Sequence, residues 1–423
     1  MSRRTVLRVV VSTALVLTST ATISPSVAQA ATTNPVITWD ANAQQAIWDV
    51  AQQQPNEQAR SFAMVHGAVY DAVNAIAGRP YRPYLGAPAA DGTESTEAAV
   101  ATAAHRMLVS LFPGQLARLQ AQYDTALAAI PDGTPKQRGV TVGTQAAAAM
   151  IAARRDDGAF GSQTWQVGTQ PGQWRPTPPT FASAGAWTGH LKPFLLPDAS
   201  MFRTSGPPAL TSSAYTRDYN EIKRLGGVGS TARTADQTSA AIWWHDRRLT
   251  EWEIKRQVAT SRGLNTLQAA RMFAMVDMTE ADALIACYAE KEHWNFWRPV
   301  TAVQLGDTDG NQATAGDPNW MPLLVTPPFP EYTSGHTCFT SASMATLAYF
   351  YQRDDISFSA YSPAAAATRH FPSFSKALAE VVEARIWGGV HFRSADNQGV
   401  RIGLSVFAYM AAGDFFKPVR HRP

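Results

Sequence analysis

Three short stretches in the second half of this chain carry residue types able to hold and process an oxyanion. In FPEYTSGHTCF, Phe329 to Phe339, the tripeptide Ser334-Gly335-His336 stands where the chain enters an apolar, helix-forming run. A helix start exposes free N–H groups and a partial positive charge, and glycine lets an anion come close to the backbone. Upstream, KEHWNFWRP places Lys291 and Arg298 seven residues apart, so that on a continuous helix both cations project from one face. Pro299 disfavours helical geometry at Arg298 and ends or kinks the element there. Downstream, ARIWGGVHFRSAD separates Arg385 from His391 by six, which a regular helix would aim about 120° apart. Gly388 and Gly389 break the helix between them and let both side chains turn toward one point.

Singly, each stretch has a plainer reading, because a Lys/Arg pair on a helix is usually a solvated face and a terminal Arg often only complements the helix dipole. Together and in this order, Lys-x6-Arg-Pro, Ser-Gly-His and Arg-x5-His resemble the signature of the superfamily of type 2 phosphatidic acid phosphatases and vanadium-dependent haloperoxidases. The match covers about Lys291 to His391, and the wider second half is similar to secreted bacterial members. This resemblance implies an all-α fold of helical bundles, often two four-helix bundles, with the oxyanion held in the second. It also implies a role for each residue. Lys291, Arg298 and Arg385 neutralise the oxygens of vanadate or phosphate, Ser334 donates a hydroxyl hydrogen bond, and Gly335 donates its N–H. His391 is the axial group, bound to vanadium in a haloperoxidase or forming a phosphohistidine in a phosphatase, and His336 is the acid/base opposite.

The implied reaction is either oxidation of halide by hydrogen peroxide to hypohalous acid, with Lys291 polarising the peroxide, or hydrolysis of a phosphate ester without vanadate. A non-catalytic oxyanion-binding or interaction protein is the remaining alternative. Phe329, five before Ser334, resembles an aromatic position near the halide site of chloroperoxidases, but Tyr288 stands where that site would have Trp. Three further positions depart from the superfamily pattern. Thr333 precedes Ser334 where phosphatases have Pro, Ala384 precedes Arg385 where Ser is frequent, and Asp396 lies five after His391, where an orienting Asp is expected four after.

Elements must position these groups. Long Ala/Leu/Met/Val runs broken by Pro-rich connections predict helices over Thr38–Ala77, interrupted near Pro55, over Glu97–Ala129, with a restart at Pro113, and over Pro135–Arg155. Asp156 to about Leu210 is proline-dense and reads as an ordered irregular segment packed over helices, closing an N-terminal half, 31–210. In the second half, 211–423, helices are expected from Ser212, over Thr234–Trp244, over Thr266–Trp297 with a break near Trp294, and over Thr337–Tyr351, Phe374–Trp387 and Asn397–Ala412. Thr301–Pro328 reads as a loop, whose GDTDGN is a solvated turn because it lacks the closing Glu of a calcium loop. No strand alternation stands out. His66 lies near the apolar face of its helix and reads as a core histidine, with no metal-spaced partner at i+3 or i+4.

Residues 1–30 set Arg3, Arg4 and Arg8 before an apolar run and end in Ala28-Gln29-Ala30, the pattern of an export signal of twin-arginine or Sec type. Without them Lys+Arg falls from 36 to 33 against 33 Asp+Glu. The mature chain is then formally neutral, which argues against a nucleic-acid partner, and no stable membrane span is expected after signal removal. Cys287 and Cys338, the two cysteines, do not make a disulfide framework, though both lie near the candidate site. Neither His-Glu-x-x-His nor Gly-x-Ser-x-Gly occurs.

Overall fold

The computed structural model describes residues 34–246 and 253–419; the export-type segment lies outside them. Helix takes 57% of the described residues, beside one two-stranded sheet. The first half supplies α1 (Pro35–Gln44), α2 (Pro55–Ile76), α3 (Thr96–Leu111), α4 (Leu116–Ala128) and α5 (Thr134–Ala153). Prolines sit in the first turn of α1, α2 and α5, where a missing N–H costs nothing. The second half supplies α6 (Ser213–Leu225), α7 (Ala235–His245), α8 (Ile254–Ser261), α9 (Thr266–Trp294), α10 (Pro299–Gln304), α11 (Gly335–Tyr351), α12 (Phe374–Trp387) and α13 (Arg393–Ala412).

Helix α9 is the axis of the molecule. Asn265 and Gln268 cap its start reciprocally, and from Ala269 to Lys291 almost every residue is buried. A helix that is apolar all round has to be enclosed, and α9 packs against α2 on one side and against α11 and α13 on another. The core is therefore continuous from the first-half helices into the second-half bundle.

The few polar residues on α9 tie other elements to it. Asp282 accepts backbone N–H bonds from Phe194 (2.6 Å), Leu195 (2.7 Å) and Leu196 (2.7 Å), and Glu290 accepts from the backbone and hydroxyl of Thr204. These bonds satisfy backbone groups that a buried irregular segment would otherwise leave unpaired, so the proline-dense stretch is ordered over the helices as its sequence suggests. Asp277 meets His66 Nδ1 and Lys255, and His66 Nε2 lies 3.5 Å from Asp40. His66 is buried as expected, but inside an ionic cluster joining α1, α2, α8 and α9.

Helices α11 and α13 approach closely through Gly399 and Gly403. A Cβ on Gly399 would fall 2.2 Å from Thr337 Oγ1 and 2.6 Å from Ser334 O, and one on Gly403 would fall 2.2 Å from Cys338 O. This contact sets the start of α11 beside the start of α13, where Ser334 N–H donates to Ala395 O at 3.1 Å.

Three local expectations change. Helix α9 stops at Trp294, with Asn295 left-handed (φ 44°), so Arg298 is extended (φ −78°, ψ 154°) and caps α10 instead of sharing a helix face with Lys291. The stretch read as loop begins with α10, because Pro299 can open a helix as well as end one. A hairpin of β1 (Phe358–Ser362) and β2 (Ala367–Phe371), paired Phe358 to Phe371, fills the gap before α12; five-residue strands are too short to show alternation clearly.

Two substitutions test this framework. Asp282→Ala should lower stability by about 3 kcal/mol or more in urea denaturation, since three buried N–H groups lose a charged acceptor. Gly403→Ala should cost about 1–3 kcal/mol by overpacking α11 against α13.

Candidate active site

The end of α9, the extended Arg298 segment, the start of α11, the end of α12 and the turn into α13 converge on His391. Lys291, Arg298, Arg385 and Ser334 each have 0% exposure and His391 has 1%. Arg298 is the most firmly placed. Its Nε donates to Phe329 O (2.8 Å), its Nη1 donates to Val390 O (2.9 Å) and lies 3.3 Å from His391 Nε2, and its buried Nη2 has no hydrogen-bond partner among the described residues. Lys291 Nζ donates to the carbonyls of Pro330, Glu331 and Thr333, which fixes it under the turn leading into Ser334. That turn therefore depends on one of the site's own cations.

Ser334 is the N-cap of α11 but does not bond its hydroxyl to the helix's first N–H groups. Those of Gly335 and its neighbours are left pointing out of the helix start. The Ser334 hydroxyl sits near Asp396, whose carboxyl burial pushes well above the carboxylate range. Arg385 lies close enough to act electrostatically on both Asp396 and His391. All seven residues singled out by spacing thus come from five elements to one region.

The residue that spacing missed is Glu331. Its Oε1 lies 3.0 Å from His391 Nδ1 and accepts the Phe392 N–H at 3.0 Å, with 0% of the residue exposed. Glu331, not Asp396, therefore orients the imidazole. The carboxylate comes from before Ser334 rather than after His391, so no offset from His391 could find it. An acid inside the apolar FPEYTSGH stretch was the available signal.

Electrostatics follow from burial. His391 is held well below the ordinary imidazole range, first by burial and then by Arg298, Lys291, Arg385 and His336, so it stays neutral. With Nδ1 engaged by Glu331, its Nε2 faces the Arg298 guanidinium. Burial pushes Glu331 up to about 8 against the pull of Arg298 and Lys291, and pushes Lys291 down to about 8. Arg298 is pulled down to about 10. Three buried cations face two carboxyls that both favour their neutral forms. Such a site is incomplete without an anion, because buried charge is costly unless paired.

His336 opens onto an adjoining cavity of about 200 Å³ lined in part by Tyr288, Phe329 and Phe339. The Tyr288 and Phe329 rings are 5.2 Å apart, and Phe329 lies 5.1 Å from Lys291 Nζ and 5.0 Å from the Arg298 guanidinium. Trp165, from the proline-dense segment, packs 6.1 Å from Tyr288, so the first half backs the aromatic wall. Cys287 and Cys338 are both free thiols that contact Thr333.

Residues 271–416 match the family described as the second helical-bundle domain of VCPO. A curated vanadium chloroperoxidase from Curvularia inaequalis is 26% identical over 378 residues, covering 70% of this chain; the chain spans 61% of that relative's length. The second-half bundle is thus similar to the vanadium haloperoxidases. Two solved structures share the fold. A bacterial vanadium-dependent iodoperoxidase aligns with TM-score 0.76 at 24% identity, covering 89% of this chain and 94% of its own. A holo-type bacterial vanadium-dependent chloroperoxidase aligns with TM-score 0.67 at 18% identity, covering 88% and 94%. The residues present fit an oxyanion such as vanadate or phosphate: Arg298 Nη2 is an orphaned buried donor, and the cations outnumber the charged acids.

The shift of Glu331 gives a signed prediction. Its folded pKa lies above the unfolded value of 4.5, so its contribution is full below 4.5 and is lost as pH rises through about 8. Between pH 5 and 8 the oxyanion-free protein should lose stability relative to Glu331→Gln, by at most about 1.4 kcal/mol per pH unit. Chemical denaturation of both proteins across that range checks it, and parallel curves would remove Glu331 as the titrating group.

Proposed function

We propose that this chain is a vanadate-dependent haloperoxidase, using hydrogen peroxide to oxidise halide to hypohalous acid. The observation that carries the reading is the buried trio Lys291, Arg298 and Arg385 around a neutral His391 whose Nε2 faces the cations. The three cations would balance the charge of vanadate, with Ser334 and the Gly335 N–H as further donors and His391 Nε2 as the group that would hold it. Guanidinium suits this task because it stays charged and donates in a planar fork. Bound vanadate supplies Lewis-acid activation of peroxide. His336, half-buried at the cavity floor, is placed to take the proton that peroxide loses and to return one to the leaving oxygen. Tyr288 and Phe329 border the path by which halide would reach the site. The names of the similar proteins, a chloroperoxidase and an iodoperoxidase among them, support the class while leaving the halide open.

One observation favours a second reading. The Glu331–His391 pair is what a nucleophilic imidazole needs, since Glu331 against Nδ1 fixes the ring with Nε2 toward the cations. A secreted acid phosphatase acting through a phosphohistidine would use it with the same cations. We also propose export of the chain, from the arginine-led apolar start of the sequence. Among the described residues no helix is long and apolar enough to cross a membrane.

The full chain should be assayed with vanadate, peroxide and bromide, and separately with an aryl phosphate without vanadate. Bromide oxidation that falls roughly hundredfold or more in Arg298→Ala and vanishes in His391→Ala is expected. Aryl phosphate hydrolysis with a trapped phosphohistidine, and no bromide oxidation, would replace the haloperoxidase by the phosphatase.

A further inference from the structure

The cavity beside His336 is larger and more apolar than peroxide and halide require. Both are hydrophilic and gain nothing from a hydrocarbon wall, yet Leu284, Pro327, Pro328 and Phe339 face this space of about 200 Å³. An apolar cavity of about 150 Å³ is enough to hold benzene, so one substituted ring fits. Drug-sized ligands occupy roughly 300 Å³ or more, so larger ring systems do not.

Polar groups are few among the described lining residues. His245 from the end of α7 and His336 hold their imidazoles nearly parallel, 9° between planes and 6.3 Å between centroids, with Thr340 and Gln54 also on the lining. Mostly apolar walls with a few polar groups suit a flat apolar molecule carrying one hydroxyl. Val325, 60% exposed, also lines the cavity and marks where it meets solvent.

We propose that this cavity binds the organic acceptor of the halogen, a single-ring phenol, next to His336; the proposal rests on the haloperoxidase reading. Hypohalous acid formed at the neighbouring site then reacts inside the protein. The ring carbon supplies the electron pair, the carbon–halogen bond forms as the oxygen–halogen bond breaks, and the proton lost by that carbon joins the departing hydroxide as water. An acceptor held in one orientation receives halogen at a restricted set of ring positions.

The test uses the full chain loaded with vanadate and supplied with peroxide, bromide and phenol, with excess taurine to trap hypobromous acid that escapes. The ortho-to-para ratio of bromophenols should differ at least threefold from that given by reagent hypobromous acid, and should survive taurine. In Val325→Trp, which narrows the entrance, the ratio should move to the reagent value; being a ratio, it is independent of any change in rate. In vanadate-free protein, 4-fluorophenol should show saturable fluorine line broadening that Val325→Trp removes. Bromide oxidation with the reagent ratio, or with phenol bromination abolished by taurine, overturns the proposal, as does absence of saturable 4-fluorophenol binding. Absence of both bromide and iodide oxidation alongside saturable binding removes instead the haloperoxidase reading beneath it.

Discussion

Three positive side chains buried around one neutral imidazole are the constraint on which the rest of this structure depends. In water they would repel weakly and cost little; inside a helical core their desolvation has to be offset by fixed acceptors and, finally, by an anion. The chain answers with backbone carbonyls rather than acids. Lys291 takes three carbonyls and Arg298 takes two, so the cations remain charged and oriented without being neutralised. The nearby carboxyls of Glu331 and Asp396 are pushed toward their neutral forms, which preserves the site's demand for an oxyanion.

Rigidity comes from α9 and from one close helix crossing. Helix α9 is enclosed along almost its whole length and ends at Lys291, so that cation is carried by the best-anchored element in the molecule. The crossing of α11 and α13 at Gly399 and Gly403 places Ser334 beside the turn that bears His391. Asp282 and Glu290, on α9 itself, hold down the proline-dense segment, which in turn brings Trp165 against Tyr288. The first half thus contributes to the aromatic wall near the site, although none of the seven signature residues lies in it.

Much of the helix inventory is legible in the sequence because helices report themselves through apolar periodicity, prolines at first turns and capping residues. The hairpin over 358–371 and α10 escaped notice for the same physical reason: both are too short for a period to repeat. The shared helix face for Lys291 and Arg298 was a local inference from spacing, and Asn295 in the left-handed region undid it. The two cations nevertheless meet, because packing, not helical phase, brings Arg298 inward.

For this protein the sequence alone determined which groups are available for oxyanion chemistry: three cations, a hydroxyl beside a glycine at a helix start, and two histidines. Tertiary structure alone decided how they act. It chose Glu331 over Asp396 as the partner of His391, turned Nε2 toward Arg298, and opened an apolar cavity beside His336. Spacing along a chain records which side chains are available and how a local element turns them. Burial, tautomer and cavity shape depend on contacts between residues such as Glu331 and His391, sixty positions apart, that only the folded chain creates.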